Sequence, residues 1–221
     1  MSDSNKKSKE YKRNLKLNQN LKEIMVGLLL GDGNMQTFSS SGTTWRLRLL
    51  QGGDNHFEYI KHLRLLFDDW TVMDLAENHE KNKLGQLYKK WYFNTLSFEQ
   101  FAEIGNGFYR LDIESNKRKK ILPILLKDWI TELSLAYWFM DDGSYKWKDK
   151  ILAIRFCTDN FSELEIDILI SIMKDKFDLD VSKTVNKNNK WRLYVGTKNY
   201  DKIKEIIYPH LIPSMRYKFP K

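Results

Sequence analysis

Residues 24–34 read IMVGLLLGDGN, and residues 133–144 read LSLAYWFMDDGS. Each is a compact apolar segment that stops at an aspartate followed by glycine, Asp32-Gly33 in the first and Asp142-Gly143 in the second. The two stand about half a chain apart, as an internal duplication would leave them. In the first copy Leu21, Ile24, Met25, Leu28 and Leu29 fall at helical spacing, and Gly33 stands where a left-handed C-cap would end the helix. Gly27 and Gly31, one turn apart, would let a second helix approach closely at backbone level.

A carboxylate at a helix C-terminus sits beside carbonyls that already carry partial negative charge, so a compensating cation is expected. Carboxylate and carbonyl oxygens are the hard ligands that Mg²⁺ and Ca²⁺ prefer. With the two motif helices side by side, Asp32 and Asp142 would converge, the carbonyls of Gly31 and Asp141 beside them. A single Asp-Gly pair is ordinarily a turn; two at the ends of matched apolar helices are not.

The order of elements repeats around these segments. After the first helix, Trp45, Leu47 and Leu49 alternate with Thr44, Arg46 and Arg48, which predicts a hairpin with one apolar and one basic face. A helix follows over 56–70, then strands over 72–78 and 88–95, then a short helix over 98–104. A linker is expected over 105–123, with two glycines, a basic run and Pro123. The second motif helix leads into a hairpin. Ser162 then caps a helix to Lys176, with Glu165 completing a capping box. Strands over 179–185 and 191–196 and a last helix over 199–208 close the chain. Each half reads helix, hairpin, helix, hairpin, helix, an αββαββα order that predicts an α+β fold of two pseudo-symmetric halves, 21–104 and 124–221.

The chain has 221 residues with 42% hydrophobic content, enough for a packed core, and 37 Lys+Arg against 29 Asp+Glu give a net charge of +8. A polyanion is the first partner this balance suggests, and a solvated lysine-rich surface is the competing explanation. Cys157 is the sole cysteine, which excludes an intramolecular disulfide and a cysteine-built zinc site and fits an intracellular setting. No apolar run approaches the roughly 18–20 residues that span a bilayer, so no membrane partner is expected. Residues 1–20 read as a flexible basic arm.

The stretches MVGLLLGDG and LAYWFMDDG resemble the motif after which LAGLIDADG homing endonucleases are named, and their duplication resembles the monomeric, two-motif subgroup. The resemblance covers most of the chain beyond Leu21, including the closing stretch PHLIPSMRYKFP. Tyr137 stands where that family commonly has glycine. The resemblance implies motif helices packed at the centre and antiparallel sheets forming a saddle over double-stranded DNA with a long, asymmetric target. It implies metal-binding acids at Asp32 and Asp142, with the carbonyls of Gly31 and Asp141 as further ligands. It also implies Mg²⁺ as cofactor, Mn²⁺ as a substitute, Ca²⁺ binding without efficient cleavage, and double-strand breaks with short 3′ overhangs that promote intron mobility.

Lys120, three residues before Pro123, and Lys218, two before Pro220, match the family's active-site lysines by position, with Lys119 the competing assignment for the first. A lysine near a developing phosphate charge is electrostatically useful. Gln51 falls where the family often has a polar residue that positions water, and Asn186 is its counterpart in the second half, each set against an ordinary strand-end or turn role. Candidate DNA contacts on the outward hairpin faces are Gln36, Thr44, Arg46, Arg48, Lys89, Lys146, Lys148, Arg155, Lys190 and Arg192. Trp45, Trp147 and Trp191 read as sheet or core aromatics. The histidines show no metal-ligand spacing.

Two other functions stay open on the sequence: an intron maturase on the same fold, for which intron RNA is the partner, and a non-cleaving DNA-binding module. An organellar origin, mitochondrion or chloroplast, follows only from the family.

Overall fold

The computed structural model describes residues 9–81, 85–148 and 151–219, without the side chains of 9, 10, 13, 146–148 and 151. Two compact units emerge, one of residues 1–22 and 32–106, the other of residues 23–31 and 107–221. The first motif helix therefore passes from one unit into the other, a division that differs from the halves read along the sequence.

In the first unit, α1 (Lys9–Asn14) leads to α2 (Gln19–Leu30). The antiparallel sheet runs β1 (Asn34–Gln36), β2 (Arg46–Gly52), β4 (Leu87–Asn94), β3 (Ala76–Lys81) in spatial order. Leu47, Leu49 and Phe93 are buried on it, and α3 (Phe57–Leu66), which packs on β2 and β4, buries Tyr59, Ile60 and Leu63. Trp45 is fully buried, its Nε1 donating to the Gly42 carbonyl at 3.0 Å, as its core assignment required. α4 (Ala102–Phe108) lies against it, since a Cβ on Gly105 would fall 2.3 Å from the indole.

Three expectations change here. The arm folds back from residue 9 onward: Tyr11 reaches Asp69 at 3.3 Å, Gln100 Nε2 donates to the carbonyls of Lys12 and Leu15 at 2.9 Å, and Lys12 lies over Phe98. Residues 1–8 lie outside the described residues. Strand β3 begins at Ala76 and not at Val72, because Thr71 Oγ1 accepts from Met73 N and donates to the Asn94 carbonyl, forming a turn. Gly33 is absent from the described residues with positive φ, so it is no left-handed cap.

The second unit is built on the seam between residues 23–31 of α2 and α6 (Glu132–Asp142). Thr131 caps α6 by accepting from Ser134 N and donates to Glu23 Oε2 at 2.8 Å, while Ser134 Oγ donates to the Glu23 carbonyl at 2.9 Å. A Cβ on Gly27 would lie 2.3 Å from the Ser134 oxygen, and one on Gly31 2.7 Å from Asp141 Cβ. The pair of glycines does serve close approach. Tyr137, the departure from the motif, is accommodated because Gly27 faces it: the same added Cβ would lie 3.0 Å from Tyr137 Cβ. Tyr137 is 4% exposed, and burial pushes its phenol pKa upward.

The second sheet runs β7 (Gly143–Lys148), β8 (Ile151–Cys157), β10 (Trp191–Val195), β9 (Val181–Val185), again antiparallel. α7 (Glu163–Phe177) carries the expected Ser162–Glu165 capping box, and with α8 (Tyr200–Ile207) it covers a core of Ile154, Phe156, Leu193 and Val195. The helix-hairpin-helix-hairpin-helix order recurs as read. The stretch expected as linker is structured: it holds the end of α4, a two-stranded ribbon of β5 (Tyr109–Asp112) and β6 (Lys117–Lys120), and is followed by α5 (Leu126–Trp129). Its glycines are there for space. A Cβ on Gly107 would strike the Trp129 ring at 2.5 Å.

Candidate active site at the motif-helix ends

Both motif helices end on carbonyls, and a lysine ammonium lies on each end. Lys120 Nζ donates to the Gly31 carbonyl at 3.0 Å, at the end of α2. Lys218 Nζ, from the 3₁₀ turns over 213–218, donates to the carbonyls of Phe139 at 3.1 Å, Met140, Asp141 at 3.4 Å and Gly143 at 3.1 Å. The helix ends are electronegative, so a cation there is favourable by about 0.3–2 kcal/mol. Lys119 instead pairs with Asp112, which assigns the position beside Gly31 to Lys120.

Asp32, next after Gly31 in the chain, is exposed, and Asp142 is half-buried. The side chain of Asp141 packs on Gly31. Gly143 is extended at φ −74° and opens β7; its Cβ would meet the Phe139 ring at 2.1 Å, so this glycine too is required for space. Among the described residues no group of three or more His, Cys, Asp or Glu forms a metal cluster. The donors here are single carboxylates and main-chain carbonyls. That set suits a hard divalent cation that completes its shell with water and substrate phosphate, and the ammonium on the carbonyls of Asp141 and Gly143 shows that positive charge is stable there.

The two water-positioning candidates sit in different settings. Gln51 is 7% exposed, on the strand face shared with Leu47 and Leu49, where the core side of the sheet confines it. Asn186 is a turn former: its Oδ1 accepts from Asn188 N at 2.8 Å and Lys190 N at 3.0 Å.

On the outward sheet faces, Arg46 donates to Gln36 Oε1 through Nε at 3.2 Å and Nη2 at 2.7 Å and lies over Phe38. Thr44 is half-buried, its carbonyl accepting from Thr37. Lys89 is not on the outward face: strand alternation puts it with Trp91 and Phe93 on the core side of β4, at its edge, where it pairs with Glu77 at 3.4 Å and lies over Trp91. Arg192 pairs with Asp159. Arg155 and Arg192, with Thr184, Asn186 and Tyr194, line an open groove of about 670 Å³. Lys190 is exposed. The side chains of Lys146, Trp147 and Lys148 lie outside the described ones.

One recurrence went unnoticed in the sequence. Two residues past each motif aspartate stands a polar side chain, Asn34 or Ser144, and the register sets an arginine directly across from it, Arg48 or Arg155. The Ser144 Oγ and Arg155 Nε atoms are buried with no hydrogen-bond partner among the described residues. The equal offset from Asp32 and Asp142 was the available signal; the arginines could be matched to it only once strand register was known.

A sequence profile described as the LAGLIDADG DNA endonuclease family matches residues 22–203. The chain belongs to that family. This LAGLIDADG protein is 33% identical to the probable intron-encoded endonuclease 1 of Wickerhamomyces canadensis, over 95% of this chain and 88% of that one. It is 28% identical to the cytochrome b mRNA maturase bI2 of Saccharomyces cerevisiae, over 91% of this chain and 48% of that one. Among solved structures, the homing endonuclease I-WcaI bound to its DNA recognition sequence superposes with a TM-score of 0.85 at 30% identity, covering 99% of this chain and 94% of that one. The α+β fold with antiparallel sheets is the LAGLIDADG homing endonuclease fold, and this member is a DNA-hydrolysing enzyme by family. No described helix is long and apolar enough to cross a membrane.

Proposed function

We propose that this LAGLIDADG protein is a site-specific homing endonuclease that acts as a monomer, hydrolyses both strands of a long asymmetric DNA target with a divalent cation, and leaves short 3′ overhangs. The observation that carries the reading is the duplicated helix end, in which an aspartate follows helix carbonyls that already hold a lysine ammonium. Each half then serves one strand.

In this mechanism Asp32 and Asp142 hold divalent cations, with the carbonyls of Gly31 and Asp141 as further ligands. Mg²⁺ fits the oxygen donors, and Mn²⁺ fits the same set. When bound, the metal lowers the pKa of its water and neutralises charge on the phosphate. The protein does the rest. Lys120 and Lys218 fix the carbonyls that flank the aspartates and add positive potential where phosphate charge develops. Arg48 and Arg155, together with the outward cations of both sheets, hold the backbone, and Gln36 with Arg46 reads base edges.

The relative named an intron-encoded endonuclease supports an intron origin for this gene. The similarity to a maturase favours a second reading, in which intron RNA is bound and splicing assisted. One experiment decides: DNA spanning the intron-less host gene is incubated with the protein with and without Mg²⁺. Metal-dependent cleavage of both strands is expected. Uncut DNA across a broad target library, with splicing of the host RNA stimulated, overturns the endonuclease in favour of the maturase.

A further inference from the structure

The ribbon of β5 and β6 belongs to neither four-stranded sheet. It carries Arg110, Lys117, Arg118, Lys119 and Lys120 against Asp112 and Glu114. Its register puts Arg110 directly opposite Lys119 and Asp112 directly opposite Lys117, so one face of the ribbon bears three cations and one carboxylate. Arg110, Lys117 and Lys119 are exposed. Like charges directly across an antiparallel pair destabilise it. Asp112 offsets part of that by pairing with Lys119, while its other bonds, from Ser115 N at 2.8 Å and Ser115 Oγ at 2.6 Å, tie it to the turn.

The root of the ribbon is fixed on the functional site. Lys120, the last residue of β6, donates to the Gly31 carbonyl, and the Ile121 N–H continues the pairing by donating to the Phe108 carbonyl at 2.8 Å. Four residues of strand rise about 13 Å from that root, roughly twice the width of a B-form minor groove. A cationic arm of that reach, starting at the carbonyl that precedes Asp32, is long enough to touch the sugar-phosphate backbone on the far side of the groove from the phosphate being cut.

We propose that the 109–120 ribbon is a third DNA-contacting element, separate from the two sheets, which binds backbone phosphates flanking the cleavage site through Arg110, Lys117 and Lys119. The proposal rests on the endonuclease reading. It assigns the ribbon affinity and placement, not sequence choice, since phosphate contacts carry no base information.

The test is the salt dependence of binding to a mixed-sequence DNA duplex, because phosphate contacts are sequence-independent and each adds about 0.9 to the slope of log K against log salt. Arg110→Gln and Lys117→Gln are each expected to make that slope shallower by about one contact, and the double variant by about two. Asp112→Asn, which releases Lys119 and removes a negative charge, is expected to act with the opposite sign and tighten binding. Lys202→Gln removes a lysine of α8 that pairs with Asp178 and serves as the charge control, with the slope unchanged. Slopes equal to wild type in all the ribbon variants overturn the ribbon while leaving the endonuclease reading intact. A wild-type protein that binds no duplex DNA overturns both, and ribbon variants that weaken binding to an RNA hairpin but not to DNA assign the ribbon to RNA.

Discussion

The two motif-helix ends carry the same chemistry in different mechanical settings. At the end of α6, Gly143 is pinned against Phe139, Asp142 is half-buried, and Lys218 is bound to four carbonyls, more acceptors than an ammonium has protons. At the end of α2, Asp32 is exposed and Lys120 arrives from the ribbon to the Gly31 carbonyl. Lys218 is thus first a clamp on the backbone around Asp142, and Lys120 a link between the ribbon and its helix end. A duplicated site keeps its reacting groups alike while the supports that hold them diverge.

The hardest blow to both ends is loss of the carboxylate. Asp32→Asn and Asp142→Asn are each expected to slow cleavage at least about a hundredfold, read as single-turnover rates, and chelation of the divalent cation should do the same. A variant that still cuts both strands at the wild-type rate would remove its aspartate from the metal site. Next comes the seam that the ends share. Gly27→Ala forces a methyl toward the Ser134 carbonyl and should cost about 1–3 kcal/mol, which for a chain of this size lowers Tm by about 2–4 °C per kcal/mol.

The lysines sharpen the comparison. Lys218→Met removes hydrogen bonds from a charged donor to helix carbonyls and should cost about 1.5–3 kcal/mol, with Lys120→Met costing less; equal losses in thermal melting would erase the distinction between clamp and link. The smallest effect lies away from both ends. Asp178 ends α7 in the left-handed conformation, and hydrogen bonds from Lys174 and Lys202 lower its pKa to about 2. A depressed carboxylate contributes stability that is present above its ordinary value near 3.8 and lost as pH falls through about 2. Asp178→Asn, which tolerates the same backbone, should therefore flatten Tm against pH only within that acid window.

Much of this was legible in sequence because it depends on local pattern. The motif helices, the alternation of Leu47 and Leu49 with Arg46 and Arg48, and the capping box at Ser162 need only a few neighbouring residues to be recognised. What escaped depends on distant partners. Gly105 and Gly107 looked like linker residues, but they yield space to Trp45 and Trp129. Gly33 reads as a left-handed cap, yet it does not adopt positive φ, and Gly143 yields space to Phe139. Lys119 and Lys120 are chemically identical in the sequence and are separated only by strand parity, which sends one to Asp112 and the other to Gly31. The inward direction of Gln51 rests on the same parity, since an odd step along β2 points to the Leu47 and Leu49 face.

Gly27 and Gly31 also set where the chain can change length. Each residue added to an α-helix turns everything beyond it by about 100°. An insertion before Gln19 leaves both glycines on the face that meets Ser134 and Asp141. An insertion between them swings one glycine off the seam and brings a side chain to where a methyl group already has no room. The five residues from Gly27 to Gly31 therefore behave as a ruler that tolerates neither lengthening nor shortening, and homologues that vary in length should do so outside it.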